Sequence, residues 1–334
     1  MKKTLNFYVI MVMVSVFGTL GFTSCSNDDD DEPKKDESVV TINKTKDTAL
    51  LLVTFGSTFE APHTTYKNMQ TQFEEDYAST CDTYFSLTST TCITRWGAKT
   101  GEYLATPDIW LTAIGKAGYK KVLIQSLHVI PGEEYTMLRD YYIKSFEKAY
   151  PNVKVILGKP LLSDRGDYEN GSFGSDIKEV GDILYNTYKP KLEKGECIAF
   201  LGHGNPEDSY SYANISYRAM ESYLKSLNPN IFVATVDCEG MKIEYLKQTI
   251  ANRKIAQGTI INLTPLMSIA GDHANNDMAG TGDDLDGTSW REILTASGYS
   301  IDLKKNCQLK GLGDYPSIVN IWKRHLTEAI EAAK

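Results

Sequence analysis

Histidine is scarce in this chain: 334 residues hold five, His63, His128, His203, His273 and His325. Six cysteines occur, but no two stand as CxxC, so neither a thiolate zinc knuckle nor a thioredoxin-like redox pair has support. No GxGxxG follows a strand-like run, no GxxxxGK[ST] occurs and no GxSxG is present. These absences argue against a dinucleotide fold, a P-loop and a serine nucleophile elbow. Basic charge is also short, with 35 Lys and Arg against 43 Asp and Glu and a net charge of −8. Nucleic acid is therefore not an expected partner.

What is present is enough apolar material for a large core. Hydrophobic residues make up 42% of the chain and aromatics 10%, which suits one sizeable domain or two smaller ones. The first 24 residues stand apart: a basic start, an apolar stretch and small residues lead to Cys25. This resembles a bacterial lipoprotein signal with Cys25 as the lipidated residue; a plain secretory signal cut nearby is the alternative. Its removal would take away Lys2 and Lys3 and no acid, leaving −10. Residues 25–46 begin "CSNDDDDEPKKDE" and read as an acidic flexible tether. An acidic run behind the lipid cysteine also resembles a surface-export signal, with a merely solvated linker as the bland reading. The expected location is outside the cytoplasm, lipid-anchored to the outer membrane and facing the periplasm or the surface. There the remaining cysteines, Cys81, Cys92, Cys197, Cys238 and Cys307, meet a disulfide-permissive space; Cys81 and Cys92 could pair, and an odd number leaves one over.

From residue 48 onward β-branched and leucine-rich runs alternate with amphipathic segments. "TALLLVTFGST", "YFSLTST", "KKVLIQSLHVI", "KVILGKPLL", "ECIAFLGHG", "NIFVATVD" and "TIINLTPLMSIAG" read as buried strands. Helical periodicity lies between them, as in "GEEYTMLRDYYIKSFEKAY" and "NISYRAMESYLKSL". The alternation predicts an α/β fold of parallel sheets flanked by helices. A weak internal echo divides it into two similar lobes, 47–190 and 191–334. Phe55 and His128 are 73 residues apart, and His203 and His273 are 70 apart.

In open parallel sheets ligands collect at the carboxyl ends of strands, where His128, His203 and His273 are all expected. Glycines flank His203 in "LGHGNP" and free the backbone to turn. His273 stands among Asp272, Asn275, Asn276 and Asp277 at an expected helix start. "IFVATVDCEG" ends a strand with Asp237, Cys238 and Glu239. A carboxylate beside two imidazoles is a borderline donor set suited to zinc, iron, cobalt or nickel; Cys238 would be a softer donor or an inert core thiol. His63, after Pro62, reads as structural, and His325, beside Lys323 and Arg324, as a surface or helix-terminal residue.

With those residues in view, "LLVTFGST", "IQSLHVIPGEEY", "GKPLLS", "LGHG", "PLMSIAGDHANNDMAG", "SW" and "GLGDYPSI" resemble, in order over about residues 48–330, the anaerobic sirohydrochlorin cobaltochelatases of the CbiK type. The resemblance implies two ferrochelatase-like lobes around a cleft for a cyclic tetrapyrrole, and metal insertion as the activity. It places His203 and His273 as metal ligands, with most ligands in the second lobe. His128 becomes a cleft-wall residue for proton or substrate contact, completing the catalytic set. The family's glutamate falls on "VDCEGM", putting Asp237 at the ligand position and Glu239 beside it. Sirohydrochlorin carries eight carboxylates, for which Ser57, Thr58 and Arg95 are candidate donors. Co2+ is the expected metal, with Fe2+, Ni2+ or Zn2+ as alternatives. An exported address and the altered carboxylate leave a second reading open: a lipoprotein that captures haem, another tetrapyrrole or metal, or runs chelation backwards. The oligomeric state is not readable from the sequence.

Overall fold

The computed structural model describes residues 40–205, 210–281 and 288–334. The expected signal segment and Cys25 lie outside the described residues. The far end of the expected tether does not hang free: Thr45 and the Lys46 amide bond to the Asp82 carboxylate, and Ile42 packs against the core.

The first sheet is built from β1 (Thr48–Thr54), β2 (Cys81–Leu87), β3 (Lys121–Ser126) and β4 (Lys154–Gly158), all parallel, in the order β2-β1-β3-β4. Its crossovers are α1 (Glu60–Tyr77), then α2 (Thr90–Thr100) with α3 (Pro107–Lys116), then α4 (Glu133–Met137), which runs through a π-helical stretch, Leu138–Ile143, into α5 (Lys144–Ala149). A short antiparallel pair, β5 (Gly166–Asp167) and β6 (Ser172–Phe173), precedes α6 (Ser175–Leu192). The second sheet is β7 (Cys197–Gly202), β8 (Ile231–Thr235) and β9 (Ile261–Pro265), parallel in the order β8-β7-β9. Around it lie α7 (Ser211–Leu227), α8 (Ile243–Asn252), α9 (Trp290–Ala296) and the short α10 (Leu303–Asn306), and the chain ends in α11 (Pro316–Ala332).

Strand parity explains the layering. Successive side chains leave a strand on opposite faces, so a strand covered on both sides must be apolar throughout. In β1, Leu50 and Leu52 face one core while Ala49, Leu51 and Val53 face another. In β7, Ile198 and Phe200 join the same core as Leu50, and Cys197, Ala199 and Leu201 face a third. One continuous core thus links a face of each sheet through α1, α6, α7 and α11.

The division at residue 190 is crossed twice. Helix α6 packs on α7 and β7, and α11 returns to β3, β4 and α1 of the first sheet. Periodicity forces the return of α11: Ile318, Val319, Ile321, Trp322, His325 and Leu326 form one buried face. His325 is therefore a core residue and not a surface one, its Nε2 2.9 Å from the equally buried Asp176 carboxylate. None of the five cysteines from Cys81 onward is joined in a disulfide.

Candidate metal centre

Three neighbouring strands of the second sheet deliver their C-terminal loops to one place. After β7 the chain reaches His203, whose carbonyl accepts hydrogen bonds from the Val236 and Asp237 amides just past β8. That pairing sets Asp237 beside the imidazole, with Oδ2 3.8 Å from His203 Nδ1. Gly204 lets the turn close, at φ +85, where a Cβ would lie 2.6 Å from the Cys238 amide nitrogen. Gly204→Ala should therefore cost about 1–3 kcal/mol from φ strain and overpacking, read as a lowered urea midpoint; an unchanged midpoint would mean that the loop relaxes freely.

His273 arrives differently from the sequence expectation. The strand stops at Pro265, which has no N–H to continue a ladder, and a loop carries the chain to a π-helical turn, Ala274–Ala279, directly after His273. The Asn275 side chain fastens this turn by donating to the carbonyls of Ala270 and Gly271. The two imidazoles then meet with centroids 4.7 Å apart and planes at 76°.

Hydrogen bonding fixes how the rings present themselves. His203 Nδ1 lies 2.7 Å from the Gly204 carbonyl oxygen, which can only accept, so Nδ1 carries the proton. His273 Nδ1 lies 2.8 Å from the Asp277 carboxylate and donates to it. Each ring is left with Nε2 as the nitrogen that could coordinate a metal, the arrangement in which a second partner orients a metal-binding histidine. Burial, and then the neighbouring His273, lowers the His203 pKa below the ordinary histidine value. Burial also opposes charge on His273, but Asp277, with Asp272 and Asp237 behind it, outweighs burial and raises its pKa. Among the described residues no three His, Cys, Asp or Glu side chains are gathered tightly enough to cage an ion.

Glu239 is not brought to this pair; its carboxylate engages Lys242. Cys238 is fully buried, with Sγ against the Glu239 carbonyl. His128 is packed inside rather than standing on an open wall. It is 7% exposed, its Nδ1 bonds Ser126, and its carbonyl accepts from Leu161 and from the Trp322 indole of α11. Burial pushes its pKa down to about 4, so it is neutral.

The first sheet faces the pair with the loop after β1. Ser57 is buried within this loop: its hydroxyl caps the Phe59 amide and its carbonyl accepts from His63 Nε2. The His63 ring stacks on Trp96 at 3.5 Å, so His63 props the loop. A Cβ on Gly271 would come 3.3 Å from Ser57 Oγ, which places Ser57 against the loop leading to His273. Thr58 follows it, half-buried, and Phe55 is 42% exposed. Arg95 is exposed on α2, and its charge, like those of Asp272 and Glu134, is felt by the Cys92 thiol.

Glu134 is a residue that the motif "IPGEEY" contained and sequence reasoning passed over. Burial raises its pKa from the ordinary glutamate value, against the opposing hydrogen bond from Thr88. The local signal was there: two adjacent acids at the start of a helix that follows a strand end.

A family model described as cobalt chelatase (CbiK) matches residues 48–331. The sirohydrochlorin cobaltochelatase of Salmonella typhimurium is 29% identical over 289 residues, covering 85% of this chain and 97% of that protein. The sirohydrochlorin cobaltochelatase CbiKC of Nitratidesulfovibrio vulgaris is 31% identical over 232 residues, covering 67% and 72%. Among solved structures, SirB from Bacillus subtilis with Fe3+ aligns with a TM-score of 0.55 at 14% identity, over 86% of this chain and 97% of SirB, so the two share a fold. The family match takes in all seven strands of the two parallel sheets together with His203 and His273, and by it the chain belongs to the cobalt chelatase (CbiK) family.

Proposed function

We propose that the protein inserts Co2+, as substrate, into sirohydrochlorin held between the two sheets' loop ends. The observation that carries this reading is the pair of half-exposed imidazoles, each with Nδ1 committed and Nε2 available. Two such donors, with Asp237 next to them, bind a divalent ion without filling its coordination sphere, so ring nitrogens can displace them. As Co2+ enters, two pyrrole N–H protons must leave. Glu134, whose raised pKa makes it a stronger base than an ordinary carboxylate, accepts one from the opposite side of the site, and solvent water at the half-exposed site takes the other. Phe55 offers an apolar face to the macrocycle, and Ser57, Thr58 and Arg95 meet its carboxylates. Asp237 is the better candidate than Glu239 for the third metal donor, because Lys242 already occupies Glu239. His128 then serves as buried support for the loop after β3.

Lipid attachment at Cys25, with exposure to the periplasm or the cell surface, is proposed from the N-terminal sequence alone. Mass spectrometry of the membrane-extracted protein would show a diacylglyceryl-modified N-terminus; an unmodified one would remove the anchor.

The test is anaerobic incubation of the purified protein with sirohydrochlorin and Co2+, followed by visible spectroscopy against an enzyme-free control. Accelerated growth of the cobalt-ring spectrum supports insertion. Ring binding without acceleration would favour a capturing lipoprotein, the reading that the shortened Asp237 carboxylate leaves open. Within the first outcome, Glu134→Gln should lower kcat by about 10²-fold while Co2+ affinity stays unchanged, as expected for a lost general base. Equal loss of both would place Glu134 among the metal donors instead.

A further inference from the structure

Helix α4, which carries Glu134, starts at Gly132, a residue with no side chain to cap it. The cap comes from the other sheet. Asn205, two residues after His203 and 8% exposed, accepts the Glu133 amide at Oδ1 over 2.8 Å. Asn205 is itself locked, its amide donating to Asn214 Oδ1 at 2.8 Å and its carbonyl accepting from Asn214 Nδ2 at 2.7 Å. The approach is tight enough that a Cβ on Gly132 would lie 2.4 Å from Asn205 Oδ1.

A path of five residues thus runs from the His203 imidazole to the Glu134 carboxylate: along the chain through His203, Gly204 and Asn205, then across the one hydrogen bond to Glu133 and on to Glu134. We infer that Asn205 is a positioning residue that caps α4 from the opposite sheet and so fixes the spacing between the metal donors and Glu134. The inference rests on the chelatase reading for its catalytic consequence, though not for the contact. A metal ion and a base that act on one ring must sit a set distance apart, and small misplacements are costly in rate. Asn205 sets that distance without touching either reactant.

Three variants test it: Asn205→Ala, Asn205→Asp, which keeps an acceptor oxygen, and Gly132→Ala. At φ −88 an alanine at position 132 stays out of the left-handed region, and its Cβ would wedge the contact apart. For Asn205→Ala we expect kcat to fall by about 10-fold and exchange of the 133–137 amides to quicken by a similar factor, the size of a lost cap, with Co2+ affinity within about twofold of wild type. Asn205→Asp should restore both. Gly132→Ala should lower kcat alone, yet add nothing when Asn205 is already alanine, because the clash is then gone. Should Asn205→Ala fail to fold, the Gly132→Ala result decides. Wild-type kcat in Asn205→Ala, or a loss of Co2+ affinity matching the loss of kcat, would overturn the inference. If the wild-type protein inserts no cobalt, the chelatase reading falls by itself; amide exchange then decides, and unchanged exchange in Asn205→Ala overturns the coupling.

Discussion

Replacing His273 with alanine is expected to abolish measurable Co2+ binding while leaving the fold nearly intact. The ring is one of two with a free Nε2 at the centre, and its side chain remains 33% exposed, so folding depends little on it. Its bond to Asp277 is an orienting one; losing such a partner costs about 10–100-fold in metal affinity, and losing the ligand itself should cost more. Calorimetric titration with Co2+, beside a thermal melt, reads both halves of the prediction. Full Co2+ affinity in the variant would remove His273 from the site. Asp277→Asn should fall between the two, since an amide oxygen still accepts from Nδ1 but carries no charge.

The largest effect on stability is expected at Asp176, outside the candidate metal centre. Its carboxylate is 2% exposed and collects the Ser163 and Asp164 amides, His325 Nε2 and the Arg324 guanidinium. These bonds tie α6 and the loop after β4 to α11, the helix that crosses back to the first sheet. Asp176→Ala leaves buried donors without an acceptor, at a cost of about 3–5 kcal/mol. Burial alone would raise the Asp176 pKa, but the His325 bond and the other donors outweigh it and lower it below the usual value. A carboxylate with a depressed folded pKa stabilises the native state at pH values above its unfolded pKa, and that contribution fades as pH falls through the folded value. Denaturant melts of wild type and variant should therefore differ most near neutral pH and converge in acid. A gap that holds constant down to pH 2 would show that the charge is not what matters.

Much of this architecture is legible in the sequence, for physical reasons. Strands buried on both faces have to be near-continuous apolar runs, so the central ones stand out, such as "LLLV" in β1 and "IAFL" in β7. Helices α2 and α3 do not. "TTCITRWGAKT" is rich in β-branched residues, which favour a strand over a helix, and its marks are the Ser89 cap and Gly101 at φ +77. His325 was misplaced because Lys323 and Arg324 suggested a surface, when spacing from Trp322 and Leu326 is what sets its face. At the centre, His203 and His273 are marked by their glycine-rich and Asx-rich settings. The choice between Asp237 and Glu239 is not, because it depends on where Lys242 points. Asn205 escaped for a related reason: its contact with the Glu133 amide runs between the two sheets, which residue spacing within one lobe does not encode.

The most direct measurement is the position of cobalt itself. Crystals grown or soaked with Co2+ should show, by anomalous scattering at the cobalt edge, a single strong peak about 2.0–2.2 Å from His203 Nε2 and His273 Nε2, with an Asp237 oxygen turned toward it. Cobalt held elsewhere, or by Glu239 with the two imidazoles empty, would contradict the account.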